Sequence, residues 1–441
     1  MSDTDPVEPD EATAGPRPSR TARMGQTLRG LAVDVSPLRS SRDYRLLWSG
    51  ELISETGHQM SHVAVFIQVF QLTRSASAVG LVGLVELVPL VLMSIAAGGI
   101  VDAVDRRKLW LGMQFGFAAC STLLLVNSLF SHPPLAVVYL GAGLTAGLSG
   151  IASPTQAAMT PRLVSRQELP SAIALNQVMW NSTAILGPAA GGVIIGAFGL
   201  PWAYGIDVVT YGATIAAGML MRPMPPVPLA GEERRASGLA AIREGFAYLK
   251  GRRVLQSTFV IDLVAMVFGM PRALFPVLAV TQFHGGAEIV GALFSALAVG
   301  ALGGALTAGW VGGVRHQGRA VIVAVALWGA GIVAFGLAGD NLPLAVVLLA
   351  AAGAADVISA VFRSAILQLS VPDQLRGRLS AIHILVVTGG PRLGDFEAGM
   401  VASAFSPFVS VISGGVACLA GVAVIALAVP KFWRYHAGTP A

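Results

Sequence analysis

From Leu46 onward the chain is a succession of apolar runs separated by short polar or basic breaks. Each run is about 20 residues long, the length an α-helix needs to cross a hydrocarbon core. Twelve such spans are read, centred near His58, Pro89, Ala119, Leu144, Gly187, Val209, Val267, Val299, Gly329, Ala352, Gly390 and Gly421. The first span, "LWSGELISETGHQMSHVAVF" at 47–66, departs from the pattern. Glu51, Glu55, His58 and His62 fall within a helical stripe roughly 60° wide. The stripe continues into Val65, Phe66 and Val69, all apolar. A polar face that stops half-way along a membrane helix suits a cavity open to one side and closed at mid-membrane.

Composition agrees with the spans. The 441 residues are 54% hydrophobic and only 12% charged, with a mean hydropathy of +0.70, whereas soluble domains run nearer a quarter charged. The expected fold class is therefore all-α integral membrane. The two cysteines, Cys120 and Cys418, lie in apolar runs and read as packing residues, too few for a disulfide framework or thiolate metal site.

Residues 1–43 hold no apolar run long enough for a signal-peptide core. They begin acidic, pass through "GPRPSRTAR" and end basic at "RSSRDYR", the composition of a disordered tail. Met1 and Met24 stand as alternative starts.

Basic residues set the orientation. With the amino terminus in the cytoplasm, of the 29 lysines and arginines only Arg74 falls in an outside loop, and Arg272, Arg363 and Arg392 fall within spans. The rest lie in cytoplasmic segments, as the positive-inside rule requires. The net charge of +5 and pI near 9.5 thus express topology rather than a nucleic-acid partner.

The chain also repeats. Six spans end near Arg222, a basic stretch follows, and six more begin near Gln256. "LVSRQELPSAIAL" at 163–175 and "SVPDQLRGRLSAI" at 370–382 occupy the same place in each half. The expected organisation is a cytoplasmic tail over 1–43, a six-helix bundle over 44–222 and a cytoplasmic linker with an amphipathic helix over 223–254. A second six-helix bundle follows over 255–433, with a tail over 434–441. Two such halves joined in the cytoplasm is an architecture of secondary transporters.

With these spans in place, the chain resembles the major facilitator superfamily. "GGIVDAVDRRK" matches its loop signature at Gly98, Asp102, Arg106 and Arg107, which implies a conformational latch tethering the bundles. The corresponding stretch of the second half, "GWVGGVRHQGR", has Gly313 in place of the acid, so a latch there would be weaker. "TAILGPAAGG" resembles the superfamily's antiporter signature at Gly187, Pro188, Gly191 and Gly192, a kink followed by a packing face. "LRSSRDYRLLWSGELIS", "SPTQAAMTPRLVSRQEL", "VPDQLRGRLSA" and "GGPRLGDFEAG" are similar to the branch of enterobactin-type siderophore exporters and macrolide or multidrug efflux proteins. The arginine that many drug/proton antiporters carry in the fourth span is missing from "YLGAGLTAGLSGIASPTQ".

Ionisable groups within membrane spans are costly and normally face a cavity or a partner. Here they are Glu51, Glu55, Glu86, Asp207, Asp262, Asp356, Asp395 and Glu397, with Arg272, Arg363 and Arg392 as cations. The expected pairs are Asp262 with Arg363, and Arg392 with Asp395 or Glu397. Glu51, near the inner interface, is expected to meet headgroups or a loop unless it serves the cavity, and Asp207 is expected in a structural role. Glu51, Glu55, His58, His62 and Glu86 are the candidates for proton coupling and for the substrate cavity, since histidine titrates near neutrality and an unpaired carboxylate away from water takes up a proton readily.

No phosphate-binding loop, metal-protease motif or nucleophile elbow occurs in the sequence. No catalytic residue, metal or other cofactor is implied, and the reading is of a transporter, not an enzyme. The expected function is export of a small amphipathic compound, of drug or siderophore class, in exchange for protons across the inner (plasma) membrane. Protons, a small-molecule substrate and the bilayer are its partners, without ATP or nucleic acid. Uptake by proton symport or facilitation, or a receptor that keeps the fold without transport, are the alternatives.

Overall fold

The computed structural model describes residues 34–225 and 239–436, and every regular element in them is helical. The expected tails and linker fall in part on 1–33, 226–238 and 437–441, outside the described residues, as do the side chains of Asp102, Arg376 and Arg378. The first half comprises the short α1 (Ser36–Ser40) and then α2 (Arg42–Thr73), α3 (Ala76–Ala103), α4 (Arg106–Ser128), α5 (Leu135–Leu163), α6 (Leu169–Phe198) and α7 (Leu200–Leu220). After α8 (Leu239–Leu249) come α9 (Arg253–Phe268), a 3₁₀ turn (Arg272–Leu274), α10 (Phe275–Thr281), α11 (Ala287–Thr307), α12 (Gln317–Gly336) and α13 (Leu342–Ser370). The chain continues through α14 (Asp373–Ala404), α15 (Pro407–Ala428) and the single turn α16 (Pro430–Trp433).

Local sequence sets many of these boundaries. Ser41, Ser75, Asp105, Asn341 and Ser406 each turn a side-chain oxygen onto a free backbone N–H of the first turn that follows. Gly199, at φ 91°, makes the reversal between α6 and α7.

Ten helical stretches among the described residues are long and apolar enough to cross a membrane, with α9 and α10 counted as one. The two other long helices, α2 and α14, each have 32 residues but are more polar. Glu51, Glu55, His58 and His62 on α2, and Arg392, Asp395 and Glu397 on α14, lower their apolar character. Large apolar side chains such as Val193, Val209, Leu306 and Leu427 are exposed on the outer surface, as a lipid-facing belt requires.

The packing repeats between the halves. In the first, α3 lies on α5, α2 on α6 and α7, and α4 on α5 and α7. In the second, α11 lies on α13, α9 on α14 and α15, and α12 on α13 and α15. Two seams join the halves, α3 against α14 and α6 against α11.

Both seams are built from glycine. A Cβ on Gly80 would stand 2.9 Å from Gly399 Cα, and one on Gly192 would stand 3.0 Å from Gly291 Cα. These contacts sit where α3 and α11 begin and α6 and α14 end, at the opposite end from Arg106, Arg107 and Lys108. Two hydrogen bonds reinforce them. Ser77 N–H donates to Ser403 Oγ at 2.7 Å, and Ser295 O–H to the Ile185 carbonyl at 2.9 Å. Gly192→Leu is expected to cost about 1–3 kcal/mol by overpacking and to slow transport. Gly212→Leu, where an added Cβ meets nothing within 4 Å, should change neither the thermal melt nor the transport rate, which makes it the control for this measurement.

Candidate functional site

A cavity of about 280 Å³ lies between the halves. Helix α2 brings Glu51, Glu55, His58 and His62 to it, α3 brings Glu86, and the second half contributes Arg272 and Arg392. The polar stripe on α2 ends where the cavity ends. Beyond His62, residues Val63 to Phe70 are all buried. A cluster of rings caps this end: His62 on Phe66 at 5.0 Å, Phe66 on Phe294 at 5.9 Å and Phe294 on Phe275 at 5.0 Å. The cavity therefore occupies the half of the molecule nearer the basic end, and the glycine seams occupy the other half.

The ionisable groups fall into two kinds. Some are fixed in pairs. Arg392 Nε donates to Glu86 Oε2 at 3.1 Å, and His62 Nε2 stands 3.6 Å from Glu86 Oε1. Arg272 donates to Asp395 at 3.0 Å, and the Ala273 N–H donates to the same carboxylate at 3.1 Å. Away from the cavity, Arg363 lies 2.8 Å from Asp262 and 3.9 Å from Asp356. The pair Asp262–Arg363 is the one the sequence suggests, but Arg392 does not pair with Asp395 or Glu397. Arg392 and Asp395, three apart on α14, turn to different partners, the first to α3 and the second to the 3₁₀ turn. Glu397 takes no ion pair among the described residues.

The remaining acids within the spans have no cation among the described residues. Glu51 is buried rather than placed among headgroups, because Trp110 Nε1 donates to it at 2.5 Å and Gln114 Nε2 at 3.2 Å. These two donors sit four apart on one face of α4 and escape a search for ionisable groups. Glu55 accepts from Gln59 Nε2, one turn on in the same helix, at 2.9 Å. It has no ion pair among the described residues. His58 Nδ1 is 3.1 Å from the Tyr211 hydroxyl. Trp180, Phe117 and Leu90 supply apolar wall, and Gln156 on the fourth span lines the cavity in place of any arginine.

The two motif regions are differently placed. Gly98 ends within α3, and Asp102 belongs to the same helix. Arg107 donates from Nε to the Gly218 carbonyl at 2.8 Å and from Nη2 to Met219 at 2.7 Å, so it caps α7 inside the first half. That is a favourable place for a cation, but it is not a bond between the halves. Arg106 reaches the Ala158 carbonyl at 3.3 Å. In the antiporter-like motif, Gly187 and Gly191 pack on α2 beside Gln59 and Met60, while Gly192 packs on α11. The motif thus touches both the cavity helix and the opposite half.

Comparison with known proteins follows the same lines. Residues 32–436 match the transmembrane secretion effector family. The chain is 26% identical to the Enterobactin exporter EntS of Citrobacter koseri over 384 residues, covering 87% of this chain and 91% of that one. Against the protein of the same name from Escherichia coli K12 the identity is 25% over 412 residues, 92% of this chain and 96% of that one. Among solved structures it is similar to a POT family transporter in complex with 5-aminolevulinic acid, with a TM-score of 0.72 at 11% identity, over 89% and 97% of the two chains. It is also similar to a bacterial homologue of the lysosomal transporter Spinster in an inward-facing conformation, with a TM-score of 0.66 at 14% identity, over 89% and 95%.

Proposed function

The chain belongs to the transmembrane secretion effector family of the major facilitator superfamily, and we propose that it exports a small amphipathic compound in exchange for protons. It is a multi-pass membrane transporter, not an enzyme. On this reading twelve helices form two six-helix bundles, over 44–222 and 255–433, and both termini lie in the cytoplasm. The membrane is the inner one, and the arrangement described is open toward the cytoplasm.

One observation carries the proposal: the cavity walled by both halves holds a carboxyl group, Glu55, that no cation among the described residues meets. Substrate and proton can then compete for the same site. Arg392 and Arg272 are already held by Glu86 and Asp395, so the free charge of the cavity is that of its acids. Rings of Trp180, Phe117 and Tyr211 beside these acids suit a compound with apolar rings and hydrogen-bond donors. The relatives named as enterobactin exporters favour outward movement and a drug or siderophore class of substrate. Alternating access would break the glycine seams and close the basic end.

Cells that express the chain and are loaded with a fluorescent amphipathic dye should extrude it, and a protonophore should stop extrusion. Dye efflux that continues at the same rate after the proton gradient has collapsed would contradict proton antiport.

A further inference from the structure

A second, smaller chamber lies behind the cavity, walled by the first half and by Arg392 of the second, with a volume of about 40 Å³. A water molecule needs roughly 10–15 Å³ of such space, so the chamber admits water. His58, His62 and Glu86 line it as well as the main cavity, and on its far side stand Ser61, Ser121 and Asp207.

Asp207, in the middle of α7, is fully buried. Ser121 O–H donates to its Oδ2 at 2.7 Å. The other oxygen, Oδ1, has no hydrogen-bond partner among the described residues. Ser61 Oγ lies near enough to act on the carboxyl but makes no hydrogen bond of good geometry with it. Gly57 lets α2 approach this carboxyl group closely, since a Cβ there would come within 2.8 Å of Oδ1. Glu86, Asp395 and Asp262 are also buried, and each is met by an arginine. No cation among the described residues meets Asp207. The groups around it that titrate are Glu55, His58 and His62 on α2, Glu86 on α3, Cys120 on α4, and Tyr204 and Tyr211 on α7. Arg392, the one fixed cation among the described residues that line the chamber, is engaged by Glu86.

An ionised carboxylate in this position would bear several kcal/mol of uncompensated desolvation. A carboxylic acid would not, because its O–H can donate to Ser61 Oγ or to water in the chamber while Oδ2 still accepts from Ser121. We propose that Asp207 is a second proton-binding site of the transporter, loaded and unloaded through the chamber it shares with His62 and Glu86. A chamber water that has received a proton from the cavity gives it to Oδ1 and is left neutral, and unloading is the reverse. No electrons move. The inference rests on the proton-coupled reading but places the proton on a residue that lines the chamber and not the main cavity.

Infrared difference spectra of the purified full-length protein, taken between acid and alkaline pH, test it without any substrate. The C=O stretch of protonated carboxyl groups should appear on acidification. Asp207→Asn should remove one component, and Glu55→Gln a different one. Ser121→Ala, which keeps the acid and deletes its donor, should move the Asp207 component in frequency. Ala146→Leu, which fills the chamber from α5, should slow its appearance. Titrating spectra that are the same in wild type, Asp207→Asn and Ser121→Ala would overturn the proposal, and so would unchanged kinetics in a folded Ala146→Leu protein. Failure of the Glu55 reading is seen separately, as normal transport by Glu55→Gln alongside an intact Asp207 band.

Discussion

Glu55→Gln is expected to cut gradient-driven export at least about tenfold, the change that about 1.4 kcal/mol produces, while substrate still binds. Glutamine keeps the length of the side chain and a partner for Gln59 but holds no exchangeable carboxyl proton. In the wild-type protein, proton and substrate oppose each other at linked sites, so substrate affinity should fall as the pH falls. In the variant that dependence should flatten. Affinity measured across pH, beside initial export rates, separates removal of a proton site from removal of a direct interaction with substrate. Removing only the direct interaction would lower affinity at every pH and leave the slope intact.

The second large effect concerns the ion pair between the halves. Glu86 and Arg392 meet at 3.1 Å in the wall of the cavity, with their side chains 7% and 22% exposed. Removing one partner leaves the other charge in a poorly solvated place, which costs up to about 3–5 kcal/mol in buried pairs. Glu86→Gln should therefore lower the melting temperature strongly and leave Arg392 free to bind anions in the cavity. Arg392→Gln should do comparable damage by exposing Glu86 to His62 alone. The double variant should recover much of the stability, because two amides can hydrogen-bond in that position. Thermal melts of the two single variants and the double variant form a cycle, and additive losses would show that the pair is not coupled.

The legible and the hidden parts of this molecule divide along a physical line. Apolar runs of membrane length, the basic bias of the loops and the stripe from Glu51 to His62 are properties of one helix at a time, and each can be read from sequence. The stripe marks the cavity because polar side chains at helical spacing must share a face. The pair Asp262–Arg363 was accessible in the same way, since few cations lie within the spans. Partnerships across the seams were not. Arg392 to Glu86 and Arg272 to Asp395 depend on how α14 rotates against α3 and the 3₁₀ turn, and nothing in the local pattern carries that rotation. The burial of Glu51 was hidden for a related reason. Its donors, Trp110 and Gln114, are uncharged residues in a different span, so a search for charges passes over them. Gly80 and Gly399 were likewise invisible as a seam, because a glycine matters there only through the backbone it faces.

Proton movement during transport tests the central claim most directly. The purified protein is to be reconstituted into liposomes that enclose a pH-sensitive dye, and a fluorescent amphipathic compound is to be presented on the side to which the cavity opens. The account predicts that uptake of the compound into the lumen drives protons out, that an imposed acidic lumen accelerates the uptake, and that Glu55→Gln abolishes both effects. Transport of the compound at an undiminished rate with no change in luminal pH would contradict it.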